Sequence, residues 1–162
     1  MSSVPAPQPP QLLAVRRPPR SKTRRVVIGS TLVVLGVILL WTCGKGAYHN
    51  YRIASAAVDR FHQQLNQGDF ETIYGEATDG FRGAGTRESE LKFFETVHQK
   101  MGNSGKMSPR GFHINWQNNV VSVSEAFETQ FTLGQAQEGF IWIIDHDEAH
   151  LQTYHIDSAN LR

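Results

Sequence analysis

Cysteine is nearly missing from this sequence, and charge and proline are missing from long parts of it. The single cysteine, Cys43, excludes an intramolecular disulfide, so a folded domain must rely on its apolar core. No acidic residue occurs in residues 1–25, and no charged residue at all occurs in residues 26–43. Six of the seven prolines lie in residues 1–25. This first segment is too poor in apolar side chains to fold, and we expect a disordered cytoplasmic tail.

The charge distribution argues against a nucleic-acid partner. Residues 1–25 carry six of the 16 basic residues, whereas the rest of the chain carries the other ten and all 15 acidic residues, a net charge of −5. A domain that binds nucleic acid concentrates its positive charge on the folded part. The predicted domain is mildly acidic, so no nucleic-acid partner is expected.

The uncharged run from Val26 to Cys43 predicts a transmembrane helix. As a helix, its 18 residues span about 27 Å, close to the bilayer hydrocarbon thickness of about 30 Å. The basic residues precede the run, which places the N-terminus in the cytoplasm by the positive-inside rule, and Trp41 suits the far interface. We therefore expect a single-pass, bacterial-type protein of the cell (inner) membrane. Its domain over residues 47–162 is expected to be periplasmic or extracellular.

Two other fates of this segment remain open. Leu40-Trp41-Thr42-Cys43 loosely resembles a lipobox, whose cysteine would be lipidated, although Trp41 and Thr42 stand where that signal has small residues. A cleaved signal peptide usually has a shorter apolar region, of about 7–15 residues. The length of the run favours a retained anchor over both.

The first half of the domain shows helical periodicity. Apolar residues recur at helical spacing over 48–67 and predict a first helix, with one face formed by Ala54, Val58, Phe61 and Leu65. Asp69 can cap a second helix, predicted over 70–81. A third helix is predicted between an N-cap at Thr86 and a glycine stop at Gly102.

The second half changes to a period of two, which is typical of strands. Residues 112–117 alternate apolar and polar, and Asn118-Asn119 suits a tight hairpin turn because asparagine tolerates positive φ. Further strands are predicted over 120–131, 138–146 and 149–158, with a turn at Asp147-Glu148. The predicted fold is α+β, with three helices packed on one face of an antiparallel sheet of about four strands.

The order of these elements resembles a known family. The segments FHQQLNQGDFETIY, VSVSEAFETQF, GQAQEGFIWII and LQTYHIDS follow one another as in nuclear transport factor 2-like domains, especially small uncharacterised bacterial members that are membrane-tethered or secreted. The resemblance covers roughly residues 48–160. It implies a cone-shaped fold in which a curved sheet wraps around the helices and often encloses a pocket. It also implies association through the open sheet face. The fold hosts enzymes and binding modules alike, so it does not by itself determine function.

No catalytic residue can be assigned from the sequence. An enzyme of this fold needs a pocket carboxylate or histidine and a hydrogen-bond donor for a developing oxyanion. Weak pocket candidates are Tyr74, Glu125 and Tyr154. Glu125 lies in phase with the apolar side of its strand and is therefore expected to point inward. Glu138 is interpreted as a structural hydrogen-bonding residue. Further ionisable groups on the last strand are His155 and Asp157.

The histidines suggest a metal site that we do not favour. His146, Asp147 and His150 lie close together in the sequence and could bind zinc or copper. A solvated polar turn is the interpretation we prefer, so no metal and no other cofactor is predicted. The histidines of other elements are interpreted as surface residues, namely His62, His98 and His113.

The strand over 138–146 predicts an interaction surface. Phe140 and Trp142 point to one side and Ile141 and Ile143 to the other, so both faces are apolar. A sheet with one wet face alternates apolar and polar residues instead. We expect one side to pack on the helices, and the other to be covered by a second copy, by a partner in a membrane complex or by the domain's own terminal segments.

The sequence therefore favours a membrane-tethered extracytoplasmic binding or assembly module that is not an enzyme. It would act through protein–protein or small-ligand contacts of its domain. The alternative is a small-molecule pocket protein, either a carrier or an isomerase- or lyase-like enzyme.

Overall fold

The computed structural model describes residues 46–162, which belong to one compact unit. The helical segments are α1 over 46–67, α2 at Phe70–Glu76, α3 at Asp79–Arg82, α4 at Arg87–Met101 and a final 3-10 turn at Ala159–Leu161. None of the helices within 46–162 is both long enough and apolar enough to cross a bilayer. The predicted tail over 1–25 and the predicted span over 26–43 lie outside the described residues.

Four strands follow the helices and form one antiparallel sheet. They are β1 at Ser104–Gln117, β2 at Val120–Phe131, β3 at Gly134–Asp145 and β4 at Glu148–Asp157, and they are ordered in space as in sequence. The α+β prediction with a four-stranded antiparallel sheet is confirmed. Each strand pairs with the next through a two-residue connection, so the first and third turns lie at the same end of the sheet.

Local capping explains where the helices begin and end. The side chain of Asp69 accepts a hydrogen bond from Thr72 N, and that of Thr86 accepts one from Ser89 N, as predicted. Gly102 has a φ of +72° and closes α4 with its own N–H on the carbonyl of His98.

The second predicted helix is wrong in its length. Instead of one helix over 70–81, the chain extends at Ala77 and Thr78, and α3 starts anew with Thr78 as its N-cap. Thr78 N donates to Leu151 O of β4 at 2.9 Å. This bond to a residue far along the chain replaces the helical bond that Thr78 would otherwise make.

The turns of the sheet depend on positive φ angles. Asn118 and Asn119 have φ of 52° and 63°, as the hairpin prediction requires. The third turn lies at His146 and Asp147, with φ of 47° and 64°, one residue earlier than the predicted Asp147-Glu148.

The helices pack on one face of the sheet around an aromatic core. Phe61 of α1, Phe94 of α4 and Phe140 of β3 are buried, with ring centroids 5.2–5.9 Å from Phe61 to the other two. Edge-to-face geometry between such rings is favourable. The rest of the buried cluster comes from the helical segment and from β2, β3 and β4, with Leu65, Ile73, Val97, Val123 and Leu151 among its members.

The two edges of the sheet differ. The pairing of β1 with β2 is irregular between Ser104 and Met107 and again between Pro109 and Gly111, and regular from Gly111 to Gln117. At the opposite edge, Thr78 N contacts Leu151 O and the guanidinium of Arg60 donates to Ala149 O at 3.4 Å. The start of the β4 edge is thus contacted by the helical segment, whereas the outer edge of β1 is not paired with another strand within residues 46–162.

Candidate functional site

The most unusual feature of the core is a group of three buried polar side chains. Tyr154 Oη of β4 donates to Glu138 Oε1 of β3 at 2.6 Å, and His62 Nε2 of α1 lies 3.0 Å from Glu138 Oε2. The side chain of Glu138 is 0% exposed and that of His62 is 5% exposed. These three residues, which we call the buried triad, connect the helices to the sheet.

The hydrogen bonds of His62 restrict where the protons of the buried triad can lie. His62 Nδ1 is 3.0 Å from Val58 O, and a carbonyl oxygen only accepts, so Nδ1 carries a proton. The contact between Nε2 and Glu138 then needs one further proton, located on either partner. Both arrangements, imidazolium with carboxylate and neutral imidazole with carboxylic acid, have a net charge of zero. The buried triad is therefore neutral as a unit, which suits its burial.

Tyr154 acts only as a donor in this group. Its burial raises the pKa of the phenol well above 10.0, and the negative charge of Glu138 and the hydrogen bond to it act in the same direction. The phenol thus keeps its proton. A tyrosine that donates to a buried carboxylate could serve an oxyanion-binding role only if a ligand replaced that carboxylate.

Placing His62 on the surface was wrong. It is 4% exposed and lies among aromatic rings, with centroid distances of 5.6 Å to Phe61 and 5.8 Å to Phe140. The sequence already indicated that His62 is buried, because His62 follows Val58 by four residues and therefore lies on the same face of α1. Its partner Glu138 is likewise in phase with Phe140 on β3.

Glu125 forms a second, smaller polar contact beneath α1. The residue is 3% exposed, and its Oε1 accepts from Ser55 Oγ at 2.7 Å, whereas Oε2 is buried without a hydrogen-bond partner. Burial raises the pKa of this carboxyl above 4.5, the Ser55 hydrogen bond partly opposes that shift, and the charge of Asp59 adds to it. Glu125 thus points inward on β2, next to the strand that holds Glu138.

The three pocket candidates do not form one site. Tyr154 belongs to the buried triad and Glu125 to the contact with Ser55, while Tyr74 lies at α2 with its hydroxyl 3.5 Å from Arg82 O. Of the further ionisable groups on β4, His155 and Asp157 are exposed on the opposite face of the sheet.

The core beneath α1 leaves little free space. A cavity of about 10 Å³, roughly the room one water needs, is lined by Phe61, Ile73, Trp142 and Leu151 among others. Trp142 Nε1 is buried and has no hydrogen-bond partner among the described residues. A substrate-sized ligand does not fit this cavity.

The histidine-rich third turn does not gather metal ligands. His146 contacts the neighbouring Asp145, Asp147 contacts His49 at 3.0 Å, and His150 Nδ1 lies 3.0 Å from Glu76 O. Within residues 46–162, no group of three or more side chains has the geometry to hold a metal ion.

Of the four apolar residues of β3 in the predicted interaction surface, only two lie on the face of the sheet turned away from the helices. Phe140 and Trp142 are buried in the core, 1% and 3% exposed, while Ile141 and Ile143 are half-buried on this outer face. Beside Ile141, a hollow of about 460 Å³ forms where Ala126 and Gly139 oppose one another across the strands. Its polar walls come from Arg110, Gln137, His155 and Asp157.

The comparisons with known proteins give no family. Neither the models of known protein families nor the curated proteins contain a match to this chain.

Proposed function

We propose that this protein is a membrane-tethered binding or assembly module that performs no chemistry of its own. Its domain would belong to the cone-shaped nuclear transport factor 2-like group and lie outside the cytoplasm. It would act through protein–protein or small-ligand contacts of its outer sheet face.

The observation that carries the proposal is the closure of the interior. Catalysis at Glu138 requires a substrate atom within about 3 Å of its carboxylate. That side chain is fully buried, and both its oxygens are already bonded to Tyr154 and His62. The three polar groups of the buried triad therefore satisfy one another, as in a structural network.

The outer face of the sheet supports the binding role. Ile141 and Ile143 form a half-buried apolar stripe between the small or polar side chains of Ser122, Ser124 and Thr153. The walls of the adjacent hollow include Arg110 and Asp157, which are ion-paired with Glu128 and Arg162. An apolar strip with a polar rim is the composition of many transient interfaces.

The experiment is site-specific photocrosslinking in the cells that produce the protein. A photoreactive amino acid replaces Ile143 in one variant and Gln63, an exposed residue of α1, in the matched control. We expect one discrete adduct from position 143 and none from position 63. Adducts that are equally weak and diffuse at both positions would contradict an interaction surface on this face.

The tether is tested separately by a topology reporter. We expect a reporter that is active only outside the cytoplasm to work when fused after Arg162. Neutral replacements of Arg16, Arg17, Arg20, Arg24 and Arg25 should scramble the orientation, because the positive-inside signal is then lost. Activity of a cytoplasm-only reporter at the C-terminus would contradict the topology.

A small-molecule pocket protein is the second candidate. It is favoured by one observation, namely that Glu125 presents a buried carboxylate oxygen with no partner. A carrier or an isomerase- or lyase-like enzyme would open at this point between α1 and β2. Specific binding of a small molecule that is lost in Glu125→Gln and retained in Ile143→Lys would favour this candidate over the first.

A further inference from the structure

Exposed apolar side chains gather at one end of the domain. Among the described residues, six large apolar side chains are exposed, and four of them define what we call the aromatic patch: Tyr48, Phe112, Trp116 and Val120. Their exposed fractions are 64%, 60%, 55% and 45%. The other two, Phe93 and Leu133, lie elsewhere in the fold.

Contacts between α1 and β1 show at which end the aromatic patch lies. The rings of Tyr51 and Phe112 are 4.7 Å apart, and the side chain of Asn66 contacts the backbone of Ser104. The helix and the strand therefore run in opposite directions. Residues of β1 beyond Phe112 extend past Tyr51 towards the N-terminal end of α1.

The remaining members of the aromatic patch lie further in the same direction. Tyr48 precedes Tyr51 by three residues, so it lies on the same face of α1. Trp116 lies four residues beyond Phe112 on the same side of β1, about 13 Å further along. Val120 follows the Asn118-Asn119 turn, at the tip of this hairpin.

The sequence places the uncharged run at this same end. Cys43, its last residue, precedes Gly46, the first residue of α1, by three positions. If the run spans a bilayer, as proposed, this end of the domain follows the membrane segment directly in the chain.

We infer that the aromatic patch is a second membrane contact, which rests in the headgroup layer of a phospholipid bilayer. This inference rests on the proposed tether. Tyrosine and tryptophan suit this layer because each has an apolar ring and one hydrogen-bonding group. The carboxylates Asp145 and Asp147 also lie at this end, where they contact His146 and His49.

The domain would then be held at two points and would keep a fixed orientation. With its turn end on the bilayer, the strands stand away from the membrane and the outer sheet face is presented sideways.

The test uses the full chain in liposomes of phosphatidylcholine and phosphatidylglycerol that contain nitroxide-labelled lipid. A fluorophore is attached to native Cys43 in one sample. In a Cys43→Ser background, it is attached through Val120→Cys at the patch or through Leu133→Cys at the opposite end of the sheet, where the exposed fraction is 59%. We expect strong quenching at positions 43 and 120 and none at 133.

Two serine pairs show whether the aromatic rings cause the contact. Phe112→Ser/Trp116→Ser should reduce quenching at position 120 to the level of position 133, while quenching at position 43 stays unchanged. The control pair Phe93→Ser/Leu133→Ser removes two exposed apolar side chains elsewhere and should leave position 120 quenched. Circular dichroism checks that both variants remain folded.

Each unfavourable outcome identifies which proposal fails. Quenching at position 43 but not at 120 overturns the membrane contact and leaves the tether intact. A signal at 120 that shifts to the blue without quenching, and reverts as the protein is diluted in the liposomes, means that a second copy covers the patch, and this also overturns the inference. Absence of quenching at position 43 contradicts the tether itself, and the inference falls with it.

Discussion

Glu138 and Glu125 are two buried carboxyl groups with different surroundings. Glu138 is matched by a histidine and a tyrosine, so each of its oxygens keeps a hydrogen-bond partner in the folded state. Glu125 keeps one partner, Ser55, and one buried oxygen without any. The first is expected to contribute to stability as part of a network, and the second to oppose stability at neutral pH.

Removing one hydroxyl tests the buried triad. Tyr154→Phe takes away the donor to Glu138 Oε1 and leaves that oxygen buried with one partner fewer. We expect the fragment 46–162 to lose about 1–3 kcal/mol of unfolding free energy in urea denaturation. Tyr74→Phe is the matched control, since its hydroxyl makes only a long contact of 3.5 Å, and its loss should be smaller. Equal losses in the two variants would contradict a special role for the triad.

The raised pKa of Glu125 predicts that the folding stability depends on pH. Its pKa is raised in the folded state, so the folded protein binds this proton more readily than the unfolded chain does. The resulting penalty is absent below the ordinary value of 4.5 and grows as the pH rises through the folded pKa. Glu125→Gln should therefore be more stable than the natural protein at pH 7, with a difference that vanishes towards pH 4.5.

Ser55 gives this prediction an internal control. Its hydroxyl lowers the pKa of Glu125, so Ser55→Ala should raise that pKa further and steepen the loss of stability with rising pH. The measurement is urea denaturation of both variants between acidic and neutral pH. A Ser55→Ala profile flatter than that of the natural protein would contradict the assignment.

At the scale of the elements, helix boundaries that depend on contacts between residues close in the sequence were predictable. Boundaries that depend on contacts with distant residues were not. Thr86 and Gly102 bound α4 through contacts within four residues, and both ends were predictable. The break at Thr78 depends on Leu151, which is 73 positions away, and no local pattern encodes it. His62 lies between these cases, because its spacing from Val58 marked the buried face but its polarity suggested the surface.

The site was less predictable than the fold for the same reason. The period of two predicted that Glu125 points inward, and Tyr154 was a candidate for its hydroxyl. That Tyr154 meets Glu138 follows from the register of β3 with β4, where Phe140 opposes Tyr154, and from the position of α1 above them. Register and helix placement are tertiary properties that a single sequence does not state.

The first hairpin turn gives a prediction about an element. Asn118 and Asn119 both have positive φ, and the preferred pair for such a turn is Asn-Gly. Asn119→Gly should keep or raise the stability of fragment 46–162, by up to about 1 kcal/mol, because glycine adopts this conformation without strain. Asn119→Val should lower it by about 1–2 kcal/mol. Thermal unfolding of the two variants measures these changes in stability. A valine variant that is more stable than the natural fragment would contradict the turn geometry.

At the scale of the whole molecule, the two faces of β3 predict opposite responses to charge. Lysine at Phe140 and Trp142 places two unpaired charges in the core, at a cost that exceeds the usual domain stability of about 5–15 kcal/mol. This variant of the fragment should be unfolded by circular dichroism. Lysine at Ile141 and Ile143 should leave it folded but change its association state in analytical ultracentrifugation.

A control separates the effect of position from that of charge. Gln63→Lys/Gln67→Lys adds the same two charges at exposed positions of α1 and should change neither folding nor association. If the lysine substitutions at both pairs of β3 residues unfold the fragment, both faces of the strand belong to the core and the interaction surface does not exist.

The unequal edges of the sheet limit how copies of this domain can assemble. Arg60 and Thr78 occupy the carbonyls of Ala149 and Leu151 at the β4 edge, whereas β1 offers a regular outer edge only from Gly111 to Gln117. Two domains could join through their β1 strands around a twofold axis. The occupied carbonyls at the start of β4 disfavour the addition of a further strand there. Lateral pairing through β1 therefore favours a dimer over a fibre, even where tethering concentrates many copies in one plane.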